Sequence, residues 1–112
     1  MKAKSLTAYR KIMMAASKGL TKEELNKLLK SYHKTKREPI TDRTGLRVIA
    51  TRLVDIRSPS HEICVFTYAD DTREHKAGKY VMCRFFSANQ YTQICSRISR
   101  GETLVDVLNS CE

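Results

Sequence analysis

The sequence has no long run of apolar residues. Nowhere in its 112 residues is there a stretch that approaches the roughly 20 apolar residues of a membrane-spanning helix. The first residues are basic, but no continuous apolar segment follows them, so they do not form a secretory signal. We therefore expect a cytoplasmic protein with no membrane contact.

The sequence also has few of the patterns that mark an enzyme. It contains no glycine-rich phosphate loop and no Ser or Cys in a familiar nucleophile setting. His61 beside Glu62, and His75 among acidic neighbours, offer acid–base groups, but both lie in predicted turns, where polar residues are expected anyway. We predict no catalytic residues, with a metal-independent nuclease as the enzymatic alternative.

The cysteines are not spaced as metal ligands. The chain has no C-x-x-C pair, and its three histidines are scattered, so we predict no metal and no cofactor. Without a secretory context, reduced thiols are expected. Cys64, Cys83 and Cys95 fit small buried positions, whereas Cys111 lies near the end of the sequence and is expected to be exposed.

The positive charge of the chain is concentrated in its first part. The formal net charge is +9. Residues 1–47 hold thirteen Lys or Arg and only four Asp or Glu, whereas residues 48–112 hold eight of each kind. The entire excess therefore belongs to the first 47 residues. Such a distribution is typical of a protein that meets a polyanion, although a basic face can also serve solubility alone.

A tight corner between two helices is predicted around Thr21. The Thr21 hydroxyl can accept from the first turn, and Glu24 can reach back to the Thr21 amide, which makes a capping box. Leu20 and Leu25 have the spacing of a hydrophobic staple. Gly19 can adopt the left-handed conformation that ends the preceding helix. These local signals agree on a helix that starts after Thr21.

We predict that this helix continues through Arg37 and divides into two faces. At 100° per residue, apolar and basic side chains separate onto opposite sides. The apolar face carries Leu25, Leu28, Leu29 and Tyr32, and the basic face carries Lys27, Lys30, Lys34 and Arg37, with Asn26 beside them. The first face is expected to be buried and the second to meet water or anions.

A first helix over residues 5–18 would complete a helical hairpin. The spacing of Ala15, Gly19 and the leucines that follow resembles a helix-turn-helix motif. Lys18 fits that motif poorly, and Glu23 lies near the end that would face phosphates. Two alternatives to a DNA-reading motif therefore stay open. The hairpin could be purely structural, or it could bind a protein or RNA.

The rest of the chain is predicted to hold a linker, three strands and two helices. Residues 38–45 form the linker, and residues 46–57 form a strand that Arg52 interrupts. Residues 62–69 and 79–86 are expected to pair as a hairpin. The expected register places Phe66 opposite Met82, Tyr68 opposite Tyr80 and Ile63 opposite Phe85.

Capping signals mark the last two helices. Ser87 and Gln90 form a second capping box, and Gly101 is expected to end the helix that follows. Thr103 and Asp106 open a short final helix. The predicted fold is thus one α+β domain over residues 1–112. It has an N-terminal basic helical hairpin (1–37), a linker (38–45), a three-stranded, mainly antiparallel sheet and two C-terminal helices (46–112).

Charge and hairpin together predict a small basic nucleic-acid-binding protein, a DNA-binding regulator that uses a helix-turn-helix-like hairpin. DNA is favoured over RNA, and a homodimer would suit two half-sites. The alternative is a non-catalytic interaction module or inhibitor, of a mobile-element type, that docks on an acidic protein surface. The predicted binding residues, which would contact phosphates and base edges, are Lys22, Asn26, Lys27, Lys30, Lys34, Lys36, Arg37, Arg43 and Arg47.

Overall fold

The computed structural model describes residues 19–55 and 58–111, and this part of the chain forms a four-stranded antiparallel sheet with helices on both faces. The strand order is β1-β2-β3-β4. The elements are α1 (Lys22–Leu29), β1 (Tyr32–Thr41), β2 (Arg47–Asp55), β3 (Ser58–Tyr68), β4 (Phe86–Ser87), α2 (Ala88–Ser99) and α3 (Leu104–Ser110). The predicted first helix, residues 5–18, lies outside the described residues.

The start of α1 confirms the predicted cap. The Glu24 amide donates to Thr21 Oγ1 at 3.2 Å, and the Thr21 amide donates to Glu24 Oε1 at 3.1 Å. Gly19 has a φ of 80°, as the corner requires. Leu25 is 0% exposed, and Leu20 packs against the same apolar cluster. The corner is thus fixed by interactions within a few residues.

The predicted fold is wrong in its N-terminal half, although the chain is α+β. In the described residues a single eight-residue helix precedes four strands, and residues 32–37 belong to a strand, so the predicted hairpin with a second helix through Arg37 is wrong. Helix α1 ends at Leu29, and the Ser31 hydroxyl donates to the Leu28 carbonyl at 3.1 Å just after it. The chain then pairs with β2 from Tyr32 onward. Long-range backbone pairing therefore overrides the local helical periodicity.

The predicted linker at residues 38–45 is also wrong. Its first half belongs to β1, which runs to Thr41. Pro39 is tolerated there because β1 is an edge strand, where one side of the backbone needs no ladder partner. Only the segment from Asp42 to Gly45 forms a turn, with a φ of 88° at Gly45.

A bulge in β1 determines which side chains share a face of the sheet. Lys34 pairs with Leu53 and Lys36 pairs with the next residue of β2, Arg52, so Thr35 is an extra, unpaired residue. In a regular strand, Lys34 and Arg37 would point to opposite faces because their numbers differ by three. The bulge places both on one face and Lys36 on the other.

The predicted hairpin between residues 62–69 and 79–86 is replaced by a looser arrangement. β3 pairs mainly with β2, and β4 is only two residues long, with Cys64 opposite Phe86. An isolated bridge joins Thr67 to Tyr80, so none of the predicted pairs forms. Between these contacts the chain turns, with the Arg84 amide donating to the Met82 carbonyl at 2.8 Å.

The sheet separates two apolar cores, and its two faces are called here the C-terminal face and the groove face. α2 and α3 cover the C-terminal face, where Phe66 and Phe86 pack edge to face at 5.2 Å between ring centroids. α1 covers part of the groove face, where Leu25 meets Leu53 and Phe85. The adjacent residues Phe85 and Phe86 thus serve different cores.

The caps of the last two helices match the sequence prediction. The Gln90 amide donates to the Ser87 hydroxyl at 3.2 Å, and the Gln90 side chain accepts from the Ser87 amide at 2.8 Å. The Asp106 amide donates to the Thr103 hydroxyl at 3.3 Å. Gly101 has a φ of 99° at the end of α2. The predicted starts of both helices and the predicted end of α2 are therefore confirmed.

The four cysteines are free thiols, but one prediction about them is wrong. Cys64 is fully buried, and burial raises the pKa of its thiol to about 12. Cys83 and Cys95 are half-buried. Cys111 was predicted to be exposed, yet it is only 4% exposed because α3 packs its end against the core, where the Arg84 guanidinium donates to the Cys111 carbonyl at 2.7 Å.

Arg52, which interrupts the apolar pattern of β2, forms an ion pair on the C-terminal face. Its Nη2 lies 2.6 Å from Glu62 Oε2, and its guanidinium lies 5.5 Å from the ring centroid of Tyr91. The Tyr91 hydroxyl donates to Glu38 at 3.0 Å. The cation is therefore accommodated by an acid from the neighbouring strand and by an aromatic ring from α2.

Candidate functional site

A groove on the groove face of the sheet collects basic side chains. It is an open groove of about 460 Å³, and residues of α1 and of the first three strands contribute to its lining. We call it the basic groove. Its lining consists of Asn26, Leu29, Lys30, Lys34, Arg37, Thr51, Leu53, Val65, Thr67, Gly78 and Tyr80.

Two elements supply the charged and polar groups of the basic groove. Asn26 and Lys30 are four residues apart on α1 and so lie on one side of that helix. Lys34 and Arg37 come from β1, where they pair with Leu53 and Thr51 of β2. Because the bulge at Thr35 turns both β1 side chains to this face, three cations meet at one groove.

The basic groove has a strongly positive electrostatic character. Lys30, Lys34 and Arg37 are exposed, and none of them forms an ion pair with any described residue. The lining contains no carboxylate. Nearby like charges without counter-charges create a positive potential that attracts anions, most strongly at low salt. Phosphate groups fit these donors, since Arg offers a planar fork and Lys a mobile point charge.

A hydrogen bond joins two lining residues of the basic groove, Tyr80 and Asn26. The Tyr80 hydroxyl donates to Asn26 Oδ1 at 2.7 Å. Burial, and to a smaller degree the nearby Cys83, raises the pKa of the Tyr80 hydroxyl, so it keeps its proton at neutral pH. With its oxygen occupied, the Asn26 amide has two N–H donors left for a ligand.

The other predicted binding residues lie outside the basic groove. Arg43 donates from Nε to the Gly101 carbonyl at 2.7 Å. Arg47 holds Asp70 with both ends of its guanidinium, at 3.1 and 2.8 Å. Lys36 lies on the C-terminal face, 3.1 Å from Glu38. These three cations therefore already have partners within the chain.

Lys22 and Lys27 lie outside the basic groove but remain unpaired among the described residues. Both are exposed on α1 and form no ion pair with a described residue, but neither lines the basic groove. The structure thus brings together four of the predicted residues, which are Asn26, Lys30, Lys34 and Arg37. They gather across an α1–β1 junction rather than along one long helix.

Sequence reasoning missed the neutral side of the basic groove. Thr51, Thr67 and Tyr80 line it, although the sequence analysis named Tyr80 only as a strand partner of Tyr68 and gave the threonines no role. The only signal was the alternation of β2 and β3, which places Thr51, Leu53, Val65 and Thr67 on one face once the register is known. β2 and β3 follow each other directly, but the register shifts between Val54 and Asp55, so the pairing cannot be counted outward from the turn.

The histidine alternative finds no cluster in the structure. The His75 ring stacks on Tyr68, with 3.9 Å between ring centroids and 9° between planes. The side chain of His61 lies outside the described part of the chain. Among the described residues, no group of three or more His, Cys, Asp or Glu side chains is arranged to hold a metal ion.

Comparison with known proteins gives no family for this chain. No protein-family model, no curated protein and no solved structure matches the sequence. None of the helices that the structure describes is both long and apolar enough to cross a membrane.

Proposed function

We propose that this protein is a small, non-catalytic nucleic-acid-binding protein that contacts phosphates through the basic groove. The observation that supports this proposal is the meeting of Lys30, Lys34 and Arg37 in one groove that has no carboxylate in its lining. The proposal does not use a helix-turn-helix. The preference for DNA depended on that motif, so the nucleic acid is left general and the experiment compares DNA with RNA.

The binding mechanism is charge neutralisation at neighbouring phosphates. A nucleic-acid strand carries one negative charge per nucleotide, and each phosphate that a cation neutralises releases condensed counterions. Lys30 approaches from α1, and Lys34 and Arg37 approach from β1, so a backbone that follows the groove meets all three. The Asn26 side chain lies in the same lining and carries no charge, so it takes no part in this neutralisation.

The test compares two triple variants that remove the same charge. One replaces Lys30, Lys34 and Arg37 by Gln. The other replaces Lys36, Arg43 and Arg47 by Gln, and these three residues have partners within the chain. Each protein is titrated into labelled duplex DNA, single-stranded DNA and RNA at low and moderate salt. Circular dichroism and urea unfolding verify that both variants are folded.

The groove variant is expected to lose about tenfold or more in affinity, because an exposed ion pair contributes up to about 1 kcal/mol. The control variant is expected to stay within about threefold of the unchanged protein, since its charges lie elsewhere. Equal losses in both variants would show that the groove has no special role. If the unchanged protein fails to bind all three nucleic acids at low salt, the proposal is wrong, and a nuclease-resistant pull-down partner would then favour an acidic protein surface.

A further inference from the structure

We infer that the basic groove accepts a single strand, with a base inside the groove and the flanking phosphates at its mouth. This inference rests on the proposed function and adds the form of the nucleic acid. It comes from the layered chemistry of the groove. Exposed cations from α1 and β1 line part of the groove, and its other lining side chains carry no charge.

The interior of the basic groove suits a flat, weakly polar group. Leu53 is 1% exposed, Val65 is 3% exposed and Thr51 is 6% exposed, so the bottom is formed by closely packed neutral side chains. The Tyr80 ring forms part of one wall. A nucleotide has the same two-part character, with an aromatic base attached to an anionic backbone. Aromatic side chains stack on bases in many proteins that bind single strands.

A duplex does not match this interior. Its bases are stacked and paired inside the helix, so a duplex can offer the groove only its phosphates. One common way to read a duplex places a helix in the major groove. α1 is unsuited to that role because Glu23 and Glu24 lie exposed in its first turn, where they would repel phosphates. A single strand, by contrast, can turn one base inward and keep its phosphates at the mouth.

The volume and the polar groups agree with one inserted nucleotide. The groove encloses about 460 Å³, which lies in the range of roughly 300–1,000 Å³ that holds one small organic molecule. Asn26 has two amide N–H donors available because Tyr80 occupies its oxygen. Those donors can meet a carbonyl oxygen on a base edge. Lys30, Lys34 and Arg37 then take the phosphates on either side.

The experiment measures fluorescence anisotropy with a labelled thymidine oligomer of about twelve nucleotides, a length within the usual range of single-strand sites. A duplex of the same length and a thymidine mononucleotide serve as competitors at one salt concentration. The test variant is Asn26→Ala, since Asn26 is exposed and its removal leaves the apolar packing of α1 intact. The matched control is Asn89→Ala, an exposed asparagine in the first turn of α2.

We expect the single strand to bind at least about tenfold more tightly than the duplex, because only the single strand can place a base inside the groove. Asn26→Ala should weaken single-strand binding about threefold to tenfold and leave duplex binding unchanged, as expected for the loss of one or two hydrogen bonds. Lys34→Gln should weaken both. Asn89→Ala should change neither.

Two results would overturn this inference while leaving the proposed function in place. One is equal affinity for duplex and single strand. The other is an Asn26→Ala variant that loses the same factor for both, which would mean that Asn26 touches only the backbone. Competition by the mononucleotide at the same concentration as the oligomer would identify a small-anion site instead of a strand site. Failure of every nucleic acid to bind would remove the proposed function and this inference together.

Discussion

Asp42 links two parts of the chain that are far apart in sequence. Its side chain is one of the few polar groups in the interior, with the residue only 6% exposed. One carboxylate oxygen accepts from the Thr44 and Leu46 amides at 2.9 and 3.1 Å, and the other accepts from the Leu104 amide at 2.8 Å. The β1–β2 turn is thereby fixed to the start of α3. The negative carboxylate is also attracted to the positive end of the helix dipole there.

These hydrogen bonds determine how Asp42 responds to pH. Burial alone raises the pKa of the Asp42 carboxyl, but the hydrogen bonds from Thr44, Leu104 and Leu46 outweigh it, so the pKa lies below its ordinary value. A carboxyl whose pKa is lower in the folded state stabilises the fold at every pH above its unfolded pKa, which is about 3.9. That contribution is lost as the pH falls below about 4 and passes through the folded pKa.

We predict that Asp42→Asn lowers the free energy of unfolding by about 2 kcal/mol at neutral pH, since the amide has one acceptor where the carboxylate has two. The difference between the two proteins should shrink as the pH falls below about 4, where the unchanged protein loses the same contribution. Urea unfolding at neutral and acidic pH measures it. Asp106→Asn, in the exposed first turn of α3, is the control and should cost less than about 1 kcal/mol. A pH-independent difference for Asp42→Asn would contradict this account.

At the scale of elements, the local signals were read correctly and the long-range ones were not. The capping boxes at Thr21 and Ser87 are satisfied within three residues, so the sequence contains everything that forms them. The strand from Tyr32 onward depends on β2, and Tyr32 itself pairs with Asp55, 23 positions further along the chain. Lys30, Lys34 and Arg37 also have the spacing of one helical face, and nothing between residues 30 and 37 excludes a helix there.

The sequence predicts which part of the chain supplies the basic groove but not how the groove forms. The excess positive charge lies in the first 47 residues, and so do Asn26, Lys30, Lys34 and Arg37. The convergence of these residues depends on the bulge at Thr35, which has no recognisable sequence signal. Tyr80 reaches the groove through a tertiary contact with α1 that the sequence does not encode locally.

The N-caps of α1 and α3 allow stability and binding to be separated. Thr21 and Thr103 each accept from an amide three residues on, at 3.2 and 3.3 Å, but their helices lie on opposite faces of the sheet. We predict that Thr21→Ala and Thr103→Ala each lower the free energy of unfolding by about 1 kcal/mol. Only Thr21→Ala should also weaken nucleic-acid binding, because α1 carries Asn26 and Lys30.

The measurements for this pair are urea unfolding, hydrogen exchange and binding to one labelled strand. Amides of α1 should exchange faster in Thr21→Ala, since loss of the cap favours local opening of the first turn. Amides of α3 should exchange faster in Thr103→Ala. An equal loss of affinity in the two variants would mean that binding follows global stability and does not depend on α1.

At the scale of the whole molecule, the sheet divides the work between its two faces. The C-terminal face carries the larger apolar cluster, and its edge cation Lys36 is paired with Glu38. The groove face carries a smaller cluster beside the open basic groove. The net charge of the chain is +9, but its cations are not equally available to a ligand. Several of them form ion pairs within the chain.

The salt dependence of binding distinguishes the groove from a diffuse basic surface. For a single strand, the logarithm of the binding constant falls with the logarithm of salt concentration at a slope of about −0.7 for each neutralised phosphate. If Lys30, Lys34 and Arg37 each neutralise one phosphate, the expected slope is about −2. A surface that engaged the whole excess of charge would give a slope of about −6.

Lys34 and Lys36 make this prediction specific, because they lie two residues apart on β1 and point to opposite faces. Lys34→Gln should make the slope shallower by about 0.7 and weaken binding at low salt. Lys36→Gln removes the same charge from the same strand and should leave the slope unchanged, since Lys36 already pairs with Glu38. Anisotropy titrations at several salt concentrations give all three slopes. Equal changes in the two variants would assign binding to the net charge of the molecule, whereas a change in Lys34→Gln alone would assign it to the basic groove.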